Sequence, residues 1–372
     1  MPGIVVVGAG VSGLTCALLL SKRVDHDVTV VARHMPGDYD IEYTSPWAGA
    51  NMLPMALEQD SRWERRTWPE LRRLAADVPE AGIHFQKALV LRHAHGAARR
   101  VMDPLFAENP WFASVMDDYR ELAAAELPAD VRSGCTFTSV CINPMLYLPW
   151  LVGQCLARGV VFRRADLAHI ADAATLTPGA GGSGRADVVV NATGLLACRL
   201  GGVRDPAVYP IRGQVVVVRN ELGNMGPMVV LAGTDDAPDE MCYVMARPAG
   251  GGTVLGGTYQ RGSWEAVPDP DVAVSIMQRA VRALPALTEG MGVEALSVVR
   301  HGVGLRPGRD GGVRLERERI RGTWVVHNYG HAGWGYQGSY GCAERVLELV
   351  DELLAEGERR RSCEYRGAVS CM

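Results

Sequence analysis

An α/β fold is predicted for this chain: a parallel sheet with a second domain inserted into it that carries a mixed or antiparallel β-sheet. Three observations predict it. A short apolar strand at residues 4–7 runs straight into Gly8-Ala9-Gly10-Val11-Ser12-Gly13 and then a helical stretch at 14–22. A second apolar strand at 28–31 closes a β-α-β unit of about 30 residues. Farther along, β-branched and alternating runs joined by turn residues replace the helical period.

The elements follow in order. Residues 39–55 form a loop rich in turn and aromatic residues, and 62–76 a charged amphipathic helix. A strand at 137–141 precedes Asn143-Pro144, which opens a helix over 145–157. Strands return at 160–164 and 188–191, with a Gly/Ser turn at 179–184 between them. Runs at 214–219, 243–247, 253–259, 295–301 and 313–318 suit an antiparallel sheet. Residues 324–327 read as a buried parallel strand, 338–354 as the closing helix and 356–372 as a polar tail. The dinucleotide domain is therefore discontinuous, at 1–50, 145–215 and 320–357. The inserted substrate domain takes 51–144 and 216–319, and 358–372 is left as tail.

The chain has 372 residues, too many for one ordinary core, which fits two interleaved domains. Its net charge of -4 provides no basic field for nucleic acid or an acidic membrane. Nine cysteines without a C-x-x-C pair point away from disulfides and zinc and toward a reducing compartment. His93 and His95 lie in a polar, Gly/Arg-rich stretch that reads as a surface loop, so no metal is expected. No apolar run reaches the roughly 18 residues of a spanning helix. Residues 4–20 mimic a signal peptide but lack a basic leader, so the chain reads as soluble and intracellular.

The three glycines have separate tasks. Gly8 permits the tight strand-to-helix turn, Gly10 lets a pyrophosphate approach the backbone, and Gly13 allows close helix–strand packing. The N-terminus of the following helix offers free N–H groups and a positive dipole end to phosphate, and Val11 and Ser12 are counted with the glycines among the cofactor-binding residues. One expected feature is replaced. The second strand ends Val31-Ala32-Arg33 rather than in an acid for the ribose, and an Arg there would suit the phosphate of NADP. Asn191-Ala192-Thr193-Gly194 brings a second stretch of backbone to the same cofactor, which favours FAD.

Five further stretches carry a resemblance over nearly the whole chain. They are Ser45-Pro46-Trp47-Ala48-Gly49-Ala50-Asn51, Pro210-Ile211-Arg212-Gly213-Gln214, Gly256-Gly257-Thr258-Tyr259, Arg300 through Pro307, and Asn328 through Tyr336. The set resembles the D-amino acid oxidase family, its yeast-type members most closely. The resemblance implies a Rossmann-like FAD domain roofed by a curved mixed sheet. It also implies hydride transfer from a D-amino acid to the flavin and then to O2, giving a 2-oxo acid, ammonia and hydrogen peroxide. An Arg at the end of the second strand is usual in this family, so Arg33 joins the FAD residues. The motifs add Thr44, Ser45, Gly49, Ala50, Asn51, Gly194, Gly335, Tyr336 and Gln337 to the cofactor set.

Arg306 is the expected clamp for the substrate carboxylate, because a guanidinium matches it bidentately. Tyr243 and Tyr259 match the family's two active-site tyrosines, and the Gly333 carbonyl is a candidate acceptor for the substrate amine. His331 reads as packing beside the flavin. No constellation for a catalytic base stands out, which fits chemistry carried by the cofactor. The first turn of the final helix should face the flavin pyrimidine edge. Asn51 and Met55 line the side-chain pocket, and with no second cation beside them neutral substrates are expected. Residues 232–240 are acidic and turn-rich, as a short lid would be. The terminal Ser370-Cys371-Met372 resembles a peroxisomal Ser-Lys-Leu signal except at its middle position; otherwise the chain is expected in the cytoplasm. A monomer and a homodimer both stay open. The competing readings are D-aspartate oxidase, which needs a cation at the side-chain end, a nicotinamide-dependent dehydrogenase, and a non-catalytic flavin-binding protein.

Overall fold

Apolar runs buried on both faces must lie inside a sheet covered on both sides, and the all-buried Gly3–Val7 does so. The computed structural model describes residues 1–94, 100–177, 184–222, 226–233 and 240–369. Along the chain its strands are β1 (Gly3–Val7), β2 (Asp27–Ala32), β3 (Ile83–His93), β4 (Arg120–Glu121), β5 (Val131–Ile142), β6 (Val161–Arg164) and β7 (Val188–Asn191). There follow β8 (Val208–Val218), β9 (Met228–Ala232), β10 (Glu240–Ala246), β11 (Thr253–Thr258), β12 (Gln260–Arg261), β13 (Val298–Arg309), β14 (Arg317–Ile320) and β15 (Thr323–His327). The helices are α1 (Val11–Leu20), α2 (Arg62–Asp77), α3 (Pro144–Leu156), α4 (Pro270–Ala283) and α5 (Ser339–Val369).

The first sheet runs β14-β15-β7-β1-β2-β6 and is parallel except for its edge strand β14. Helix α1 packs against both α3 and α5. The second sheet runs β12-β8-β11-β10-β9-β3-β5-β4, with β13 antiparallel along β8. It is antiparallel apart from the parallel pair β3 and β9. Ala273, Ile276 and Ala280 of α4 bury one stripe against Val216, Val218, Val244 and Leu255 of this sheet. The Rossmann-like α/β class with an inserted mixed sheet is thus the observed fold.

Several boundaries differ from the expectation. β8 begins at Val208 and lies wholly in the second sheet, so residues 208–215 do not belong with the parallel sheet. The run at 313–318 was expected in the antiparallel sheet, yet β14 pairs with β15 at the edge of the first sheet. Helix α5 continues to Val369 through the stretch read as polar tail. Helix α4 and the long strand β3 were not foreseen, and His93 ends β3 rather than sitting in a loop. Most of the acidic segment 232–240 and of the turn at 179–184, His95 and the terminal tripeptide lie outside the described residues. Among the described residues no helix is long and apolar enough to cross a membrane, and no metal-binding cluster forms.

Candidate active site and cofactor cavity

One cavity of about 680 Å³ runs from the carboxyl ends of β1, β2 and β7 to the inner face of the second sheet, the usual ligand position in an open α/β sheet. Its wall includes every residue the sequence marked for cofactor or substrate except Gly13.

At the nucleotide end the wall is made by what is missing. Gly8 has φ +114°, and a Cβ there would lie 2.4 Å from the Ala192 carbonyl oxygen. A Cβ on Gly13 would lie 1.9 Å from the Gly8 oxygen. Gly13 therefore packs α1 onto the turn and does not face the cavity. At Gly10 the nearest atom to an added Cβ is Ser45 Oγ at 2.9 Å. That hydroxyl accepts the Val11 N–H at 3.0 Å, so one amide expected to be free for phosphate is held by Ser45. The Tyr43 hydroxyl donates to the Ala9 carbonyl at 2.7 Å, and Thr44 Oγ1 to the Leu305 carbonyl, tying this loop to both sheets. The Asn191 side chain accepts from Thr193 N–H at 3.2 Å and meets His327 across β15 at 3.1 Å, which shapes the turn before Gly194.

Arg33 does not stand alone after β2. It pairs with Asp166 at 2.6 Å and lies 3.6 Å from Glu42, which also binds Arg199. Glu42, Asp166 and Arg199 all line the cavity. Carboxylates thus reach the position where the second strand lacks one, from a loop and from the turn after β6. Sequence reading missed them because neither stands at the end of the second strand: Glu42 lies in the loop that follows and Asp166 is 133 residues from Arg33. The wall also carries buried polar atoms without a hydrogen-bond partner: Arg33 Nε, Asn328 Oδ1 and His331 Nε2. Buried polar atoms are rarely left unpaired, so this wall fits a polar, dinucleotide-sized cofactor. Burial holds the His331 imidazole neutral, lowering its pKa to about 4, and its ring lies edge-on to Trp334 with centroids 5.0 Å apart.

At the other end the wall is made of side chains. Arg306 on β13 is half-buried and donates to the Thr258 carbonyl at 3.0 Å. Its guanidinium sits 5.7 Å from the Tyr259 ring centre, and among the described residues no carboxylate pairs with it. Neighbouring glycines give it room: an added Cβ on Gly213 would lie 2.3 Å from Arg306 Nη1. Tyr243 on β10 lies opposite Gly256, where an added Cβ would come 1.8 Å from its ring. Gly333 sits close to Arg306, its would-be Cβ 3.7 Å from Cδ. Met241, Tyr243 and Met245 alternate along β10 and all face the cavity, as do Val230, Asn51 and Met55. The two further methionines were not anticipated. In the turn before α5 the Tyr336 hydroxyl donates to the Ser45 carbonyl at 2.9 Å, and the Gln337 side chain accepts Leu53 N–H at 3.0 Å.

With this geometry in place, comparison with known proteins is informative. Residues 3–349 match the family model described as FAD dependent oxidoreductase, DAO. A D-amino-acid oxidase of Fusarium vanettenii is 54% identical over 356 residues, covering 94% of this chain and 97% of that protein. One from Schizosaccharomyces pombe is 36% identical, covering 91% and 93%. The crystal structure of glycine oxidase from Geobacillus kaustophilus shares the fold at a TM-score of 0.71 and 19% identity, covering 95% of each chain.

Proposed function

This chain belongs to the DAO family of FAD-dependent oxidoreductases, and we propose that it is an oxidase of neutral D-amino acids with O2 as electron acceptor. The observation that carries the reading is Arg306, a half-buried guanidinium facing the cavity with no carboxylate partner among the described residues. A planar fork of that kind suits the carboxylate of an amino acid. The Tyr259 ring lies beside it and Tyr243 lines the same cavity, and the carbonyl of Gly333 is the acceptor we assign to the substrate amine. With carboxylate and amine both held, the α-hydrogen of one enantiomer is turned toward the cofactor.

FAD, when bound, would supply the redox chemistry, as acceptor of a hydride from the α-carbon and donor of both electrons to oxygen. The protein's task is binding, orientation and exclusion of water. Gly10, Val11 and Ser12 would face the pyrophosphate, and Arg33 with Glu42 and Asp166 the adenosine end. Residues 335–337 would face the flavin ring. The imino acid left behind is hydrolysed by water to the 2-oxo acid and ammonia, and oxygen leaves as hydrogen peroxide.

The side-chain end is lined by Met55, Met241, Met245 and Val230, which favours neutral, flexible apolar groups. D-Aspartate would need a second cation here. Peroxisomal import would rest on the likeness of Ser370-Cys371-Met372 to Ser-Lys-Leu, from which it departs at the middle position; moving the tripeptide onto a reporter decides between the peroxisome and the cytoplasm. Assembly as a homodimer or a monomer is read by light scattering. Function is tested by an anaerobic visible spectrum. Bleaching of a yellow protein by a neutral D-amino acid, and not by its L-enantiomer, supports the reading. A colourless protein that binds a nicotinamide nucleotide would sink it, and so would a yellow one that no D-amino acid bleaches.

A further inference from the structure

Burying a carboxyl is costly unless its oxygens are hydrogen-bonded, and Glu64 is buried, with only 2% of its surface exposed. It stands in the first turn of α2, away from the cavity wall. Its Oε1 accepts the Gln337 side-chain N–H at 2.9 Å and its Oε2 the Ala56 backbone N–H at 3.2 Å, with the Met55 N–H also directed at it. Gln337 in turn accepts the Leu53 N–H through its other end at 3.0 Å. One side-chain bridge therefore joins residues 53–56, which carry Met55 of the side-chain pocket, to the turn at 335–337 that faces the cofactor. The helix holding Glu64 is itself fixed. Its Thr67 hydroxyl accepts the Gly341 N–H at 2.9 Å, and Gly341 has no room for a Cβ, which would lie 2.4 Å from the Trp63 carbonyl oxygen.

We propose that Glu64 is a positioning residue that sets the place of the substrate side-chain pocket relative to the flavin, by bridging Gln337 to the 55–56 backbone. This rests on the reading of the site given above. The donors settle the chemistry. N–H groups converge on Glu64 from both segments, so the position requires an acceptor at both oxygens. Burial raises its pKa to about 7, and the N–H donors oppose that shift. A glutamine here would bring an NH2 group into the ring of donors. Rotating the Gln337 amide to receive it would turn the Gln337 NH2 toward the Leu53 N–H. Every arrangement of Glu64→Gln leaves one donor facing another. The double swap Glu64→Gln with Gln337→Glu removes the conflict, because the carboxylate at 337 accepts from both Leu53 and residue 64, and the amide oxygen at 64 accepts from Ala56.

The experiment compares the FAD-loaded parent, Glu64→Gln, Gln337→Glu and the double swap with one neutral D-amino acid, and records the visible circular dichroism of the flavin. A buried unmatched donor is relieved by moving one of the two segments, so Glu64→Gln is expected to raise KM roughly tenfold, with kcat changing less than KM. Its flavin dichroism shifts, and in a cycle with Gln337→Glu alone, which isolates the effect of a carboxylate in the flavin-facing turn, the double swap lies closer to the parent in both readouts than either single variant. A double swap that folds and retains FAD where Glu64→Gln does not also supports the bridge. A Glu64→Gln enzyme that loses thermal stability but keeps the parent's KM and dichroism overturns it. So does a double swap no closer to the parent than one of the single variants, or one that likewise fails to fold. Parent turnover tests the underlying reading separately, and the dichroism reports the bridge even without turnover.

Discussion

The two ends of the cavity are built by opposite means. At the nucleotide end the working surface is backbone, and the residues that matter most lack side chains: Gly8, Gly10 and Gly13 stand where a Cβ would strike a carbonyl or a hydroxyl. At the end we assign to the substrate the wall is side chain, with Arg306, Tyr243 and Tyr259 in it. The glycines there, Gly213 and Gly256, lie on neighbouring strands and make room for them. A cradle made of backbone tolerates no additions, whereas a clamp made of side chains fails by truncation or by crowding from next door. Damage at one end should therefore leave the other end's property standing.

The largest expected effect is Arg306→Ala. Truncating one partner of a buried charge pair costs about 2–5 kcal/mol, a loss of roughly 30-fold to several thousand-fold in kcat/KM. Arg306→Lys keeps the charge without the fork and should recover part of it. FAD content, read after acid release, should match the parent in both. Gly10→Val is the converse. It should weaken FAD binding by about tenfold or more and lower Tm with it, since a cofactor that binds only the folded state stabilises it by mass action. Titration of apoprotein with FAD checks this, and an unchanged affinity would mean the turn does not hold phosphate. Smaller again is Gly213→Ala, whose methyl displaces the guanidinium. We expect roughly a tenfold loss of kcat/KM with FAD affinity retained. A loss of FAD instead would mean the two ends are coupled.

The smallest effect concerns pH. The folded protein holds the His331 pKa near 4, against an ordinary 6.5. An unfolded chain therefore takes up this proton first as the pH falls. Stability from the neutral ring is fully present above 6.5 and is lost as the pH drops from 6.5 toward 4. His331→Gln should show a shallower fall in Tm between pH 7 and pH 5 than the parent. Parallel Tm profiles would mean that another group carries this pH dependence.

What was legible in the sequence follows the same division. Backbone geometry announces itself locally, because a glycine run after an apolar strand has few other uses, and β1, α1, β2 and the residues of the first turn lie where they were expected. Arg306 and both tyrosines were singled out through motifs spread over the chain, and the fold brings all three to one cavity wall. Residues acting through distant partners left no such trace. Glu64 reads as one charge on an amphipathic helix until Gln337 is folded against it, and Asp166 acquires meaning only beside Arg33. Helix α4 did leave a signal that could have been used. Asp269 caps it by accepting from Asp271 and Val272 N–H groups, and Pro270 follows at the first position. The β-branched Val272, Val274 and Ile276 argued the other way, and packing on the sheet overrode that local preference. The edge strand β14 was misassigned because alternation shows that a strand exists, not which sheet it joins.

The measurement that bears most directly on the account is rapid-mixing, anaerobic reduction of the bound flavin in Arg306→Ala by a neutral D-amino acid, followed across substrate concentration. The account predicts a parent-like oxidised spectrum and parent-like FAD content, with reduction that saturates only at far higher substrate, if at all. A parent-like reduction rate with parent-like saturation would place the carboxylate site elsewhere, and the substrate orientation proposed for Tyr243, Tyr259 and Gly333 would fall with it.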